Sequence, residues 1–208
     1  MRRNEADSGA EAGTIKNILE VEIVENQQHK RIHPYKFTLW VAMASMVMMF
    51  AGLTSAFIVK SNLTGWRTIV LPRIFWVSTV VILISSFTIQ MAVRAARNQE
   101  MGRYRTLLLV TALLGAAFVA MQIVGFTELW AHNIRFKGSS GAGQFFYAIT
   151  GLHGLHVLGG IVALIVMAVR AFMGRAKNSA ASVEVIATYW HFVDVLWLYL
   201  IVFFLIVG

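Results

Sequence analysis

The stretch Val185-Ile-Ala-Thr-Tyr-Trp-His191-Phe-Val-Asp194-Val-Leu-Trp197-Leu-Tyr-Leu-Ile-Val-Phe-Phe-Leu-Ile-Val207 decides the fold class of this 208-residue chain. It is apolar almost throughout and exceeds the roughly 20 residues that an α-helix needs to cross a bilayer. His191 and Asp194 interrupt it three residues apart. Because a charged side chain at the bilayer centre costs roughly 2.5–3.5 kcal/mol on insertion scales, Asp194 is expected to have a polar partner.

Four earlier runs have the same length and character, and the composition agrees with them. Hydrophobic residues make up 58% of the chain and charged residues 13%, whereas soluble domains carry about 25% charged residues. We therefore predict an all-α, polytopic membrane bundle, with a polar cytoplasmic tail over residues 1–36 and a transmembrane domain over residues 37–208. Its five transmembrane helices are predicted at about residues 37–59, 74–93, 107–129, 145–169 and 185–207.

The basic residues between the predicted helices indicate the orientation of the bundle. Cytoplasmic connections are enriched in Lys and Arg, and the second and fourth connections together hold seven such residues against five in the first and third. Three more, Lys30, Arg31 and Lys36, precede the first helix. This bias predicts a cytoplasmic N-terminus and an external C-terminus. The net charge of +8 is then a topology signal and does not indicate a nucleic-acid partner.

Polar residues inside the predicted helices are few. Ser and Thr hydroxyls can donate to carbonyls of their own helix, so no further role is predicted for Ser45, Thr54, Ser55, Ser85, Ser86 and Thr88. Small residues on the fourth helix predict the close approach of a neighbouring helix: Ala148, Gly151, Gly154, Gly159, Gly160 and Ala163. The chain has no cysteine, which excludes disulfides, thiolate metal sites and a thiolate-bridged dinuclear copper centre.

Counting along the fourth and fifth helices predicts a polar cluster near the middle of the membrane. At about 1.5 Å per residue, His156 lies roughly 16 Å below the outer face and Asp194 roughly 13 Å above the inner face. These depths nearly coincide in a hydrocarbon core about 30 Å thick, so we predict that the two side chains meet. Glu184 and His191 form a stripe with Asp194 on one face of the fifth helix, and His153 lies one turn from His156.

Residue chemistry alone leaves three interpretations of this cluster open. The first is a structural polar network that holds two helices in register. The second is a proton path, since intramembrane Glu, His and Asp side chains serve as relays. The third is a haem site. His153 and His156 lie on nearly the same side of one helix, so they cannot clamp one iron from opposite faces, and only His191 remains as a second ligand.

Two motifs in these helices resemble the signatures of subunit III of the haem–copper respiratory oxidases. The fourth helix carries Phe146-Tyr-Ala-Ile-Thr-Gly-Leu-His-Gly-Leu-His-Val-Leu-Gly159, and the fifth carries Tyr189-Trp-His-Phe-Val-Asp-Val-Leu-Trp197. Glu184, seven residues before His191, also matches the family pattern, and weaker matches lie at Phe50–Phe57 and at Ser85-Ser86. The resemblance covers nearly all of the transmembrane domain and is to the five-helix bacterial form.

This resemblance implies a non-redox subunit of a cytochrome c oxidase, which reduces oxygen to water and pumps protons in aerobic respiration. In the family, subunit III holds no haem or copper, flanks the catalytic subunit, binds phospholipid and supports proton uptake. The implied location is the bacterial cytoplasmic membrane. The implied partners are oxidase subunits I and II, a subunit IV where one is present, and a quinol:cytochrome c reductase in a supercomplex.

The resemblance favours the structural interpretation of the polar cluster and adds a second set of candidates. It implies that a polar network holds the fourth and fifth helices together through Glu184, His191, Asp194, His153 and His156. Basic residues of the connections could contact anionic lipid headgroups, and the candidates are Arg97, Arg103 and Arg175.

Two departures from the family pattern bear on proton uptake. The family often has a buried glutamate in the first helix, where this chain has Met46, and a glutamate three residues after Gln122, where this chain has Gly125. Glu184 and Asp194 are then the remaining acidic candidates.

Rival functions remain open at this point. Subunit III of a quinol oxidase and an accessory protein of a nitric oxide reductase are similar, because other subunits choose the electron donor. A stand-alone membrane cytochrome would bind haem itself. A proton-coupled transporter would need a polar path across the membrane, and the first two helices offer almost none.

Overall fold

The computed structural model describes residues 34–61, 73–131, 141–174 and 179–207. These residues form five α-helices, labelled here in chain order: α1 Pro34–Ser61, α2 Ile74–Arg97, α3 Met101–Ala131, α4 Gly141–Phe172 and α5 Ser179–Val207. Each helix is long and apolar enough to cross a membrane, which confirms the predicted bundle. The helices pass the ends of the predicted apolar runs by up to six residues, because a helix continues into the interfacial layer beyond its apolar segment.

Two predictions are not tested by the structure. The orientation of the termini and the domain boundary at residue 36 stay predictions. The polar tail before Pro34 lies outside the described residues.

A three-residue turn joins α2 to α3 and makes them antiparallel neighbours. Gln99 adopts the left-handed conformation, with φ of 58°. Its N–H donates to the Ala96 carbonyl at 3.3 Å, and the Glu100 N–H donates to the Ala95 carbonyl at 3.0 Å. This pair of bonds is the Schellman motif, which satisfies carbonyls that the end of a helix leaves without a partner.

The second to fifth helices form a closed ring in which each helix packs against two others. α2 packs against α3 and α5, and α4 packs against α3 and α5. Residues Val41–Gly208 are one compact unit, and residues up to Trp40 are another, of which the start of α1 is described. The largest buried side chains inside the ring are aromatic, and they include Trp190 and Trp197 of α5.

Trp190 is 1% exposed, and glycines on two neighbouring helices make room for it. A Cβ atom at Gly115 of α3 would lie 2.7 Å from the indole ring, and one at Gly160 of α4 would lie 2.9 Å from it. Gly160 therefore makes room for a bulky side chain of the neighbouring helix, and the predicted close approach of the helix itself stays a prediction. Gly151 and Gly154 have open space beside them instead.

α1 contacts the ring from outside through long side chains. From Val41 onward, its Cα atoms lie more than 8 Å from those of the other described helices. The Phe50 ring lies against His153 and His156 of α4, with ring centroids 6.4 and 5.9 Å apart. Further along α1, the Phe57 ring meets Phe203 of α5 at 5.3 Å. These contacts place α1 beside α4 and α5 and leave the outer face of the α2–α5 pair free of it.

Candidate functional site

The predicted stripe on α5 faces α2 and forms a polar seam with it. Glu184 Oε1 accepts hydrogen bonds from Arg97 Nε at 3.0 Å and from a terminal guanidinium nitrogen at 2.8 Å. Seven residues along each helix, His191 Nε2 lies 3.3 Å from Gln90 Oε1, and His191 Nδ1 lies 2.6 Å from Ser86 Oγ. The matching seven-residue steps are what two antiparallel helices in fixed register require.

Asp194 continues this stripe into the interior. Its side chain is 3% exposed, and neither carboxyl oxygen has a hydrogen-bond partner among the described residues. The Ser86 hydroxyl is the polar group that faces it, at a position short of hydrogen-bond geometry. The expected hydrogen bond between Asp194 and a polar partner is therefore not formed.

The predicted meeting of His156 with Asp194 is wrong. His156 Nδ1 lies 2.8 Å from the Leu152 carbonyl of its own helix, and its ring packs against Phe50 of α1. The depth calculation matched the heights of the two residues, but height does not fix the rotation of a helix about its axis. α4 turns His156 towards α1, whereas α5 turns Asp194 towards Ser86 of α2.

His153 occupies an aromatic enclosure separate from the seam. Its ring stacks on Trp197, with centroids 5.2 Å apart and an interplanar angle of 24°. The rings of Phe50 and Phe118 meet it edge-on at 6.4 and 6.1 Å. It is 1% exposed, and neither ring nitrogen has a hydrogen-bond partner among the described residues. The five predicted residues are therefore distributed over three separate environments and do not form a single network.

Hydroxyls on α2 carry contacts that the sequence analysis missed. Trp190 Nε1 donates to Ser85 Oγ at 3.0 Å, and Trp197 Nε1 donates to Thr79 Oγ1 at 3.1 Å. Gln122 of α3 donates through Nε2 to Ser78 Oγ at 3.0 Å. The sequence analysis predicted no further role for Ser85 and Ser86. That prediction is wrong, because both hydroxyls bond to α5.

The remaining hydroxyls behave partly as predicted. Ser45 donates to the Val41 carbonyl of its own helix at 3.0 Å. Thr54 and Thr88 do the same in their helices and also bond across to another helix, Thr54 to Tyr199 and Thr88 to Thr111.

Two of the three arginine candidates have carboxylate partners. Arg97 pairs with Glu184 across α2 and α5, and Arg103 pairs with Glu100 at 2.9 Å. Both guanidinium groups are largely exposed. Arg175 lies outside the described residues.

The contacts that these side chains make are hydrogen bonds and packing between helices. In the described part of the chain, no group of three or more His, Cys, Asp or Glu side chains is placed to hold a metal ion. His153 is enclosed by aromatic rings, and His156 packs against Phe50 of α1 with its Nδ1 beside the Leu152 carbonyl.

Comparison with known proteins assigns the fold and its motifs to one family. The sequence model of the family described as Cytochrome c oxidase subunit III matches residues 26–208. The chain belongs to that family. Together with the five spans, membership makes the chain an integral membrane protein of a family of haem–copper oxidase subunits.

Individual relatives carry the names of two kinds of oxidase. A probable cytochrome c oxidase subunit 3 of Mycobacterium tuberculosis is 38% identical over 130 residues, which are 61% of this chain and 64% of that protein. One of Nocardia farcinica is 34% identical over 77% of this chain and 80% of its own length. A quinol oxidase subunit 3 of Bacillus spizizenii is 29% identical over 77% of this chain and 81% of its own length. The chain thus covers 64% of the length of the mycobacterial relative.

Proposed function

We propose that this chain is the non-redox subunit III of a haem–copper terminal oxidase, namely a cytochrome c oxidase of the bacterial cytoplasmic membrane. The family match over residues 26–208 carries this proposal. The holoenzyme would reduce oxygen to water and pump protons. Subunits I and II would be the partners, with a subunit IV and a quinol:cytochrome c reductase as further associates.

In this proposal the chain stabilises the catalytic subunit and performs no electron transfer. Its interior supports such a role, because several of its polar side chains bond helix to helix. Three contacts hold α5 against α2: Arg97–Glu184, His191–Ser86 and Trp190–Ser85. Haem and copper would then belong to the partner subunits.

If this chain supports proton uptake, it does so without glutamates at the two positions where the family often has them. Met46 stands at the first position and is buried. At the second, a Cβ atom on Gly125 would lie 2.8 Å from the Phe75 ring, so this packing has no room for a longer side chain. Glu184 and Asp194 remain the acidic groups through which such a role would act.

Phospholipid binding is a further part of the proposal. The largely exposed guanidinium groups of Arg97 and Arg103 lie at the ends of α2 and α3 that the three-residue turn joins. Anionic headgroups at the membrane surface attract such groups. Each headgroup would compete with the carboxylate that the arginine already holds.

A quinol oxidase subunit III is the second candidate. The quinol oxidase relative of Bacillus spizizenii aligns over 77% of this chain, a share equal to that of the Nocardia farcinica relative. The electron donor is chosen elsewhere in the complex, so the two candidates differ in their partners.

Affinity purification from native membranes tests both candidates. The tagged chain is solubilised in mild detergent, and the subunits that accompany it are identified by mass spectrometry. Recovery of a haem–copper catalytic subunit together with a copper-binding subunit II supports the cytochrome c oxidase. A subunit II without copper ligands supports the quinol oxidase, and recovery of no oxidase subunit contradicts the proposal.

A further inference from the structure

Arg105 lies between α3 and α4, at the end of the bundle where α3 begins and α4 ends. Its side chain is half-buried, and its guanidinium carbon lies 5.4 Å from the centroid of the Phe172 ring of α4. At about 1.5 Å per residue, Arg105 is about 3 Å from Leu107, where the apolar run of α3 begins. The guanidinium group therefore lies close to the border between the hydrocarbon core and the headgroup layer.

The guanidinium group of Arg105 lacks an anionic partner in the described part of the chain. Its Nε atom is buried and has no hydrogen-bond acceptor there, and no described carboxylate is within ion-pair distance. Arg97 and Arg103, at the same end of the bundle, each hold a carboxylate. The face of the Phe172 ring attracts the positive charge, but the charge stays without a hydrogen-bonded counter-ion. Because partial burial of such a charge is costly, it favours an anion supplied from outside the described chain.

Exposed apolar side chains continue from this guanidinium group into the membrane span. Leu109 lies one turn beyond Arg105 on the same face of α3, and Val169 and Ile165 lie on the face of α4 that carries Phe172. Leu109, Val169 and Ile165 are 41%, 45% and 46% exposed. A cation at the border of the membrane and an apolar strip beside it match the two parts of a phospholipid, which are a phosphate group and an acyl chain. An anion free in water would use the cation alone.

We propose that Arg105 and Phe172 form a binding site for the phosphate group of an anionic phospholipid, with an acyl chain lying on Leu109, Ile165 and Val169. The proposal rests on the phospholipid binding that is part of the proposed function. It deepens that part, because it assigns the binding to a guanidinium group that holds no carboxylate. The two paired arginines would first have to release their carboxylates, whereas Arg105 has no described carboxylate to release.

Equilibrium binding of radiolabelled dioleoyl phosphatidylglycerol to the purified, immobilised complex in detergent tests this site. The Kd of the tightest binding phase is compared between the wild type and its variants. Since hydrogen bonds to charged groups are among the stronger ones, we expect Arg105→Gln to raise this Kd roughly 10-fold. Phe172→Leu, at a position that is 54% exposed, should raise it roughly 3-fold, because the guanidinium group loses the ring face against which it packs.

Arg170→Gln is the matched control for the loss of one positive charge. Arg170 is exposed at the same end of α4, and a separation of two residues turns it about 200° around the helix from Phe172. General attraction between basic residues and anionic lipid would lower binding equally in both arginine variants. A clearly larger loss in Arg105→Gln than in Arg170→Gln supports the site, and equal losses overturn it.

Two competitors distinguish a bound phospholipid from a free anion or from an acyl chain alone. Inorganic phosphate supplies the anion without the chains, and dioleoylglycerol supplies the same chains without the phosphate. Weaker competition by both than by unlabelled phosphatidylglycerol supports the lipid site, provided that the difference is lost in Arg105→Gln. Competition by inorganic phosphate or by dioleoylglycerol that equals that of phosphatidylglycerol overturns the proposal.

The lipid site and the proposed function fail separately in this design. Recovery of the catalytic subunit during purification decides the proposed function, and the ratio between the two arginine variants decides the lipid site. If the purified material holds no oxidase subunit, the same binding assay on the chain alone still decides the lipid site. If Arg105→Gln is not recovered as a folded chain, Phe172→Leu carries the test, and a Kd equal to that of the wild type in this variant overturns the proposal.

Discussion

Trp190 shows how single residues set the packing of this bundle. The indole needs Gly115 and Gly160 for space and Ser85 for its N–H, and these residues lie on three different helices. Interiors are packed so densely that an added methyl group must displace its neighbours. Each of these positions can therefore be tested separately.

At Gly160 we predict a marked loss of stability on substitution by alanine. The added Cβ would lie 2.9 Å from the indole of Trp190, and overpacking of this kind costs about 1–3 kcal/mol. The measurement is a thermal shift of the tagged chain in detergent-solubilised membranes. Gly154→Ala is the control, because nothing lies within 4 Å of a Cβ atom there. Equal melting temperatures for the two variants would contradict the packing described.

At Ser85 we predict that alanine lowers stability by leaving the buried Trp190 N–H without its acceptor. Hydrogen bonds between membrane helices average about 0.6 kcal/mol, with a maximum of about 1.7 kcal/mol. Ser45→Ala should have no comparable effect, since the exposed Ser45 hydroxyl bonds only within its helix. The same thermal shift assay compares the two, and a larger loss at Ser45 would count against the seam.

Sequence reasoning at this scale identified polar residues better than their partners. His191 and Glu184 were recognised from their places in an apolar run, and both do bond to another helix. Ser85 was passed over because a serine can satisfy itself on its own helix. A signal was present, however. Hydroxyls recur at Ser78-Thr79 and Ser85-Ser86, and the indoles at Trp190 and Trp197 have the same seven-residue spacing.

At the scale of elements, the turn between α2 and α3 depends on one strained residue. Gln99 has φ of 58°, a conformation that costs a non-glycine residue about 1–2 kcal/mol. We predict that Gln99→Gly raises the melting temperature of the chain and that Gln99→Val lowers it. Asn98→Gly serves as the control, because φ of −79° is ordinary there and glycine would only increase the freedom of the unfolded chain. Stabilisation by Asn98→Gly and not by Gln99→Gly would show that the turn has another geometry.

The Arg97–Glu184 pair is the exposed end of the contact between α2 and α5. Its side chains are 62% and 31% exposed, so we expect Glu184→Gln to cost no more than about 1 kcal/mol. The difference from wild type should shrink in high salt, which screens exposed charges. The charge-reversed double variant Arg97→Glu/Glu184→Arg should recover part of the loss. Failure of that recovery in thermal shift measurements at low salt would argue against a direct pair.

The positions of the helices along the sequence were the easiest feature to predict. The rotation of each helix about its own axis was the hardest. A long apolar run specifies a membrane helix because the backbone must satisfy its own hydrogen bonds in lipid. The depths of His156 and Asp194 were calculated from the rise per residue and stay a prediction. Which helix each one faces depends on how the ring closes, and bulky residues such as Trp190, which packs against several helices, decide that.

At the scale of the whole molecule, the five membrane-spanning helices are consistent with the family. The polar side chains take part mainly in contacts inside the bundle. Five spans and a family match over residues 26–208 identify a subunit of haem–copper oxidases. Several polar groups of the described residues bond helix to helix, and His153 remains enclosed by aromatic rings without a hydrogen-bond partner among the described residues. These contacts between helices support the proposed role of a subunit that stabilises its partners.

The central claim, an oxidase subunit without a redox centre of its own, is tested most directly by separating the chain from its complex. The purified complex is treated with detergent until this chain dissociates, and reduced-minus-oxidised spectra are recorded for both fractions. We predict that all haem absorbance stays with the catalytic fraction, at an unchanged ratio of haem to catalytic subunit. A haem band in the fraction that holds only this chain would contradict the account.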